Sequence, residues 1–322
     1  MTRSNRRRHD EVRVGLALGS GGARGSAHTG VLKVFERERI RVSAIAGSSI
    51  GSLIGAAHAV GIPVERMEQE WLSTDVPKLF RGFFPSLARA GFSSGTELRK
   101  MLADLLGDVQ IESLPIPYAA VACDIDTGEP FVFREGSLLD AVRASTAIPG
   151  IFHPVRAGDR LLVDGGLIDP VPVGVCRSLG ADLVIAVDIT PKPIPTTPRG
   201  RRIWARIGEQ LHDGLTQQTW LPSSLIEFLD SLFRERPDSL RPLPGVYSIL
   251  NQSISILLQE LLRQKMLLHP PDLTIRPELS LSFVSYLRAK DGIRAGERAA
   301  EEALPEIRRL LSGRATEPDP RA

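Results

Sequence analysis

Ser49 lies in Gly47-Ser48-Ser49-Ile50-Gly51, a G-x-S-x-G sequence set directly after the apolar run Val42 to Ala46 and directly before the helix-like stretch Ile50 to Val60. This order constrains the fold tightly, because a strand, a sharp turn and a helix must follow in immediate succession. The flanking glycines Gly47 and Gly51 predict a backbone free to turn from strand to helix. The serine hydroxyl then stands clear of the sheet, and the free N–H groups of the helix start point toward it. Such a junction is a nucleophile elbow. Gly and Ser are also ordinary turn residues, and the pattern alone arises by chance in many proteins.

A second glycine-rich turn lies upstream, Gly19-Ser20-Gly21-Gly22-Ala23-Arg24-Gly25. It follows the apolar run Val12 to Leu18 and precedes a helical pattern through Val31, Val34 and Phe35. Two strand-turn-helix junctions are thus expected at neighbouring strand ends. Successive N–H groups in such a turn form an anion-binding nest, which can serve as an oxyanion hole. Only one strand-helix unit precedes Ser49, whereas an α/β-hydrolase sets its elbow after several strands and follows it with an acid and then a histidine. The six histidines offer no such context and read as surface or packing residues, His153 being the one most worth testing.

An aspartate is available as the base. Asp164-Gly165-Gly166 follows the apolar stretch Leu161 to Val163, which places a carboxylate at a strand end. Its ordinary pKa of ~3.9 makes it a weak base, and partial burial would raise that value. A plain Asp-Gly turn is the alternative for that dipeptide.

With these residues in place the sequence resembles the patatin-like phospholipases, in particular the bacterial members similar to the catalytic domain of neuropathy target esterase. The resemblance rests on Ser20 to Gly25 as the glycine-rich motif, Gly47 to Gly51 as the elbow and Asp164-Gly165-Gly166 as the aspartate motif. Ala144-Ser145-Thr146-Ala147-Ile148-Pro149-Gly150 and Asp169-Pro170-Val171-Pro172 complete it. It implies a three-layer α/β/α fold with a mostly parallel central sheet and a Ser-Asp dyad at strand ends. Ser49 would be the nucleophile, Asp164 the base, and the amides of Gly21, Gly22 and Ala23 the oxyanion hole, with no catalytic histidine and no cofactor. Arg24 would brace the loop or add positive potential, its alternative being an exposed cation at a helix start. The implied substrate is a fatty acyl ester of a lipid. One departure is that the family's first glycine is Ser20 here, which matters if that position needs a positive φ.

The 42% hydrophobic and 24% charged composition is that of a globular protein. A net charge of +2 gives no case for nucleic acid. Cys123 and Cys176 are too far apart for a C-x-x-C motif and suggest a reducing compartment, and no Cys/His spacing suggests a metal. The basic start, Arg3 with Arg6 to Arg8, is followed by an apolar run too short for a signal peptide or a membrane span. The expectation is a cytoplasmic enzyme whose arginines either form a solvated tail or touch anionic lipid at the membrane periphery.

Residues 12–313 are expected to form one domain between tails at 1–11 and 314–322. Helices are predicted at Val64 to Leu72, Thr96 to Leu106, Leu138 to Thr146, Leu250 to Leu268 and Ala295 to Leu311. Strands are predicted at Tyr118 to Ile125, Phe131 to Phe133, Leu161 to Val163, Leu183 to Ile189 and Leu273 to Ile275. Residues 191–245 begin Pro-rich and basic and carry apolar stripes with Trp204 and Trp220. They read either as ordinary packing or as a helical cap over an acyl pocket. An acyltransferase or thioesterase on the same dyad, a non-catalytic lipid-binding protein and a nucleotide-binding protein are the rival readings. The last fails G-x-G-x-x-G at Arg24.

Overall fold

The computed structural model describes residues 12–73, 96–149, 152–190, 246–279 and 286–314. The tail expected at 1–11 and the segment 191–245 lie outside these residues, as does the tail expected at 314–322 except for Arg314, which ends the last helix. Two compact units divide the chain, residues 1–189 with 264–322, and residues 190–263. The sheet and the site both belong to the first.

Eight strands form one sheet: β1 (Val14–Leu18), β2 (Val42–Ser48), β3 (Tyr118–Asp124), β4 (Pro130–Phe133), β5 (Val155–Ala157), β6 (Arg160–Asp164), β7 (Leu183–Val187) and β8 (Leu273–Ile275). Their order is β5-β6-β3-β2-β1-β7-β8, with β4 also paired to β3. The centre is parallel, β3-β2-β1-β7-β8, whereas β4 and β6 run antiparallel to β3, and β5 antiparallel to β6. All residues of β1, β3 and β7 are buried, as strands covered on both faces must be.

The helices are α1 (Ser26–Arg37), α2 (Ile50–Val60), α3 (Val64–Leu72), α4 (Thr96–Leu106), α5 (Leu138–Ser145), α6 (Val173–Ser178), α7 (Val246–Leu268) and α8 (Ala289–Arg314). Side-chain alternation along β1 shows which face each covers. A Cβ on Gly15 would strike Cys176 of α6 and Ala181, whereas Gly55 of α2 lies against Leu18, Ile45 and Tyr118 on the other face. Helices therefore cover both faces, giving the three-layer α/β/α arrangement that the resemblance implies. The strand β5 and the helix α6 carry no sequence signal because each is too short to show a period. The last helix begins at Ala289, six residues before the apolar period suggests, running through Gly292 and Gly296.

Gly296 has a packing reason. α8 crosses α1 so closely that a Cβ on Gly30 would lie 2.0 Å from the Ile293 carbonyl oxygen, and one on Gly296 would lie 2.0 Å from that of Ala27. Lys33 of α1 joins Glu68 of α3 and Glu297 of α8 at the edge of this crossing, at 2.8 and 2.6 Å. Such partly exposed pairs add little stability, so the backbone contact dominates. Gly30→Ala or Gly296→Ala is expected to lower the urea unfolding free energy by about 1–3 kcal/mol by overpacking. Gly313→Ala, whose Cβ meets nothing within 4 Å, should stay within about 0.5 kcal/mol of the wild type.

Candidate active site

The turn between β2 and α2 carries its strain on the serine. Ser49 has φ 54° and ψ −128°, a positive φ that side-chain-bearing residues rarely adopt. Gly47 and Gly51 have ordinary φ, so their role differs from the freedom to turn that the sequence suggested. They are needed for close approach: a Cβ on Gly47 would sit 2.5 Å from the backbone of Gly51, and one on Gly51 would sit 2.1 Å from the Leu18 carbonyl oxygen. The elbow is thus pressed directly onto the end of β1.

Hydrogen bonds hold the strained residue from all sides. The Ser49 N–H donates to Ser145 Oγ at 2.9 Å, and that hydroxyl donates onward to the Val121 carbonyl at 2.6 Å. Ser48 Oγ donates to the Asp169 carbonyl at 2.5 Å, and Ser52 Oγ to the Ser49 carbonyl at 2.6 Å. Among the described residues the elbow amide itself therefore has a protein partner and points at the interior.

Topology brings the aspartate to the serine. β2 ends at Ser48, which pairs with Val121 of β3, while β6 comes from the opposite direction and ends at Asp164, which pairs with Ala122. Two strands on either side of β3 thus deliver their ends to the same level. Ser49 Oγ donates to Asp164 Oδ2 at 2.5 Å, with both side chains buried. Asp164 Oδ1 accepts from the Gly166 N–H at 2.8 Å, which fixes the carboxylate plane. Gly165 lets this turn lie on β3, because a Cβ there would meet the Val121 carbonyl oxygen at 2.0 Å. Burial pushes the Asp164 carboxyl up to about 6, against the opposing pull of the Ser49 and Gly166 hydrogen bonds.

The glycine-rich turn lies beside the dyad. After β1, residues Gly22–Gly25 form a 3-10 turn that runs into α1, and a Cβ on Gly25 would sit 2.1 Å from Ile50 Cγ1 of the elbow helix. The positive φ of the turn falls on Gly22, at 59°, and Ser20 is spared, so the serine in the family's glycine place is tolerated. Ser20 lies against Gly166, its hydroxyl oxygen 2.8 Å from where a Cβ there would stand. The amides of Gly21, Gly22 and Ala23 bond no acceptor among the described residues. Arg24 is buried, which removes the reading of an exposed cation. Its Nη1 has no partner among the described residues, and burial draws its pKa down to about 10.

No histidine bonds to the dyad among the described residues. His153 is exposed, and its carbonyl accepts from Arg143 at 3.5 Å. Two site residues stand in motifs that carry the resemblance, but their sequence gives no role for them. Ser145 is one serine within a helical stretch, and Asp169 acts on the elbow through its backbone carbonyl. The Asp169 carboxyl is itself pushed up to about 7 by burial, with Lys265 pulling the other way.

The patatin-like phospholipase family model matches residues 16–177, just over half of the chain and the span from β1 through the aspartate motif. The chain belongs to the patatin-like phospholipase family. An NTE family protein of Mycobacterium tuberculosis is 42% identical over 180 residues, 55% of this chain and 49% of that protein. Human patatin-like phospholipase domain-containing protein 6 is 36% identical over 181 residues, 55% of this chain and 13% of that protein. The chain thus spans about half the length of the mycobacterial relative and a small part of the human one. Among solved structures, VipD from Legionella pneumophila aligns over 91% of this chain and 67% of its own, with a TM-score of 0.42 and 15% identity.

Because the folded state raises the Asp164 pKa, it binds a proton more tightly than the unfolded chain. The stability contributed by this group is therefore present at low pH and lost as pH rises from about 4 through about 6. Asp164→Asn, which keeps the shape and removes the charge, is expected to unfold about 1–3 kcal/mol harder than wild type at pH 8. The advantage should vanish below about pH 4, measured by urea titration across the range.

Proposed function

We propose that the protein is a serine acyl hydrolase that cleaves fatty acyl esters of lipids, with Ser49 as nucleophile and Asp164 as general base. The observation that carries this reading is the buried 2.5 Å hydrogen bond from Ser49 Oγ to Asp164 Oδ2 at a strained strand-to-helix turn. Backbone strain of this kind, at a cost of about 1–3 kcal/mol, persists where the surroundings over-determine it, as they do here. Family membership supports the ester class of substrate.

As Ser49 Oγ bonds to the ester carbonyl carbon, its proton passes to Asp164 Oδ2 and the carbonyl oxygen takes the negative charge. The amides of Gly21, Gly22 and Ala23 are free to bind that oxyanion, and the buried Arg24 guanidinium adds positive potential. Collapse expels the alcohol, which leaves with the proton held by Asp164. Water then attacks the acyl-serine with the same carboxylate as base, releasing the fatty acid and restoring Ser49. The raised pKa of Asp164 brings the base closer to the working pH than an exposed aspartate would be.

Ser49→Ala should fold as judged by circular dichroism and lose hydrolysis of a graded series of acyl esters and lysophospholipid. Persistent activity in the folded variant would refute the reading. The profile of kcat/KM against pH should rise through about 6 as free Asp164 ionises, and a limb near the ordinary 3.8 would place the base elsewhere. Gly22→Ala strains a residue at φ 59° and disturbs the amide donors. It is expected to cost a factor of about 10–1,000 in kcat, measured on a soluble ester.

A further inference from the structure

His28 lies in the first turn of α1, wholly buried, and belongs to neither the dyad nor the glycine turn. Its Nε2 is 2.8 Å from the carbonyl oxygen of Gly19, nine residues earlier. A carbonyl can only accept, so Nε2 carries the proton. Nδ1 is buried with no partner among the described residues, so a second ring proton would have no acceptor. The charge that faces the ring is Asp188 at the end of β7, itself paired with Arg276 at 3.0 Å. Burial outweighs that attraction and draws the imidazole pKa down to about 4, so the ring stays neutral where a hydrolase works.

Gly19 is where β1 becomes the glycine turn. Its N–H donates to the Val187 carbonyl at 3.1 Å, and its carbonyl oxygen lies 2.8 Å from the place of a Cβ on Gly51. The His28 bond thus closes the loop that holds all three unpaired amides, and does so at the point where that loop touches the elbow. We propose that His28 is a positioning residue: as a neutral donor to Gly19 it fixes the exit of the loop from β1, and with it the aim of the Gly21, Gly22 and Ala23 amides. The proposal rests on the hydrolase reading given above.

The test compares wild type with His28→Gln, whose amide can donate to the same carbonyl, and His28→Met, which fills the volume without a donor. With folding checked by circular dichroism, His28→Met should lose about 10- to 100-fold in kcat on a soluble acyl ester with KM little changed. His28→Gln should recover most of that loss, and the acid limb of the pH profile should stay with Asp164 in every variant. A folded His28→Met with wild-type kcat, a His28→Gln no better than His28→Met, or an acid limb that disappears in His28→Gln would each overturn the proposal. If His28→Met does not fold, His28→Gln and imidazole nitrogen NMR of the wild type decide it. The expected ring is neutral and Nε2-protonated at pH 5, and a cationic or Nδ1-protonated ring overturns the proposal whatever the activity. A wild type that hydrolyses no ester, or as well with Ser49→Ala, fails the parent reading, while the ring spectrum still reads the Gly19 bond.

Discussion

The positive φ of Ser49 is the constraint on which the site depends. A residue with a side chain holds that conformation only when its surroundings leave no relaxed alternative. Here they are built from close backbone approaches, Gly47 on Gly51, Gly51 on Leu18 and Gly165 on Val121, each closed to any side chain. Hydrogen bonds from Ser48 to Asp169 and from Ser49 to Ser145, with one from Ser52 back to the Ser49 carbonyl, complete the cage. At the elbow, glycine serves less to permit unusual dihedrals than to let one backbone lie on another. The same device recurs away from the site, where Gly30 and Gly296 bring α1 and α8 together.

Burial sets the electrostatics in a consistent direction. Asp164, Asp169, Arg24 and His28 are all taken out of water, and each is driven toward its neutral form. For the acids this raises affinity for a proton, and for the bases it lowers it. The consequence is an Asp164 carboxyl whose pKa lies closer to neutral pH than that of a surface aspartate, and a His28 imidazole that stays uncharged. Arg24 remains a cation, because a value of about 10 still lies well above neutrality. It is therefore the fixed positive charge beside the glycine turn.

Long periodic elements were legible in the sequence. α2, α3 and α4 run over the residues their apolar spacing predicts, and the β3–β4 hairpin closes across Asp126-Thr127-Gly128 as expected. β5 and α6 were not, since three and six residues are too few for a period to emerge. α8 begins earlier than predicted because two glycines disguise its first turns, one of them required by the α1 crossing. The sequence leaves His28 as either a surface or a packing residue; the structure buries it, and its bond to Gly19 depends on a loop geometry that spacing does not encode.

By itself the sequence singled out Ser49 and Asp164 as the candidate nucleophile and base, and determined the order of the strand-turn-helix junctions and the resemblance to the family. Those follow from local chemistry, in which glycine patterns, apolar runs and a serine or aspartate at a strand end are read within a few residues. Only the tertiary structure decided that Ser49 and Asp164 meet, because their contact depends on β6 running antiparallel to β3 while β2 runs parallel to it. It also decided which residue bears the strain, that Arg24 is buried, and that Ser145 anchors the elbow. Strand direction, register and burial are set by contacts between residues far apart in the chain, and no local pattern carries them.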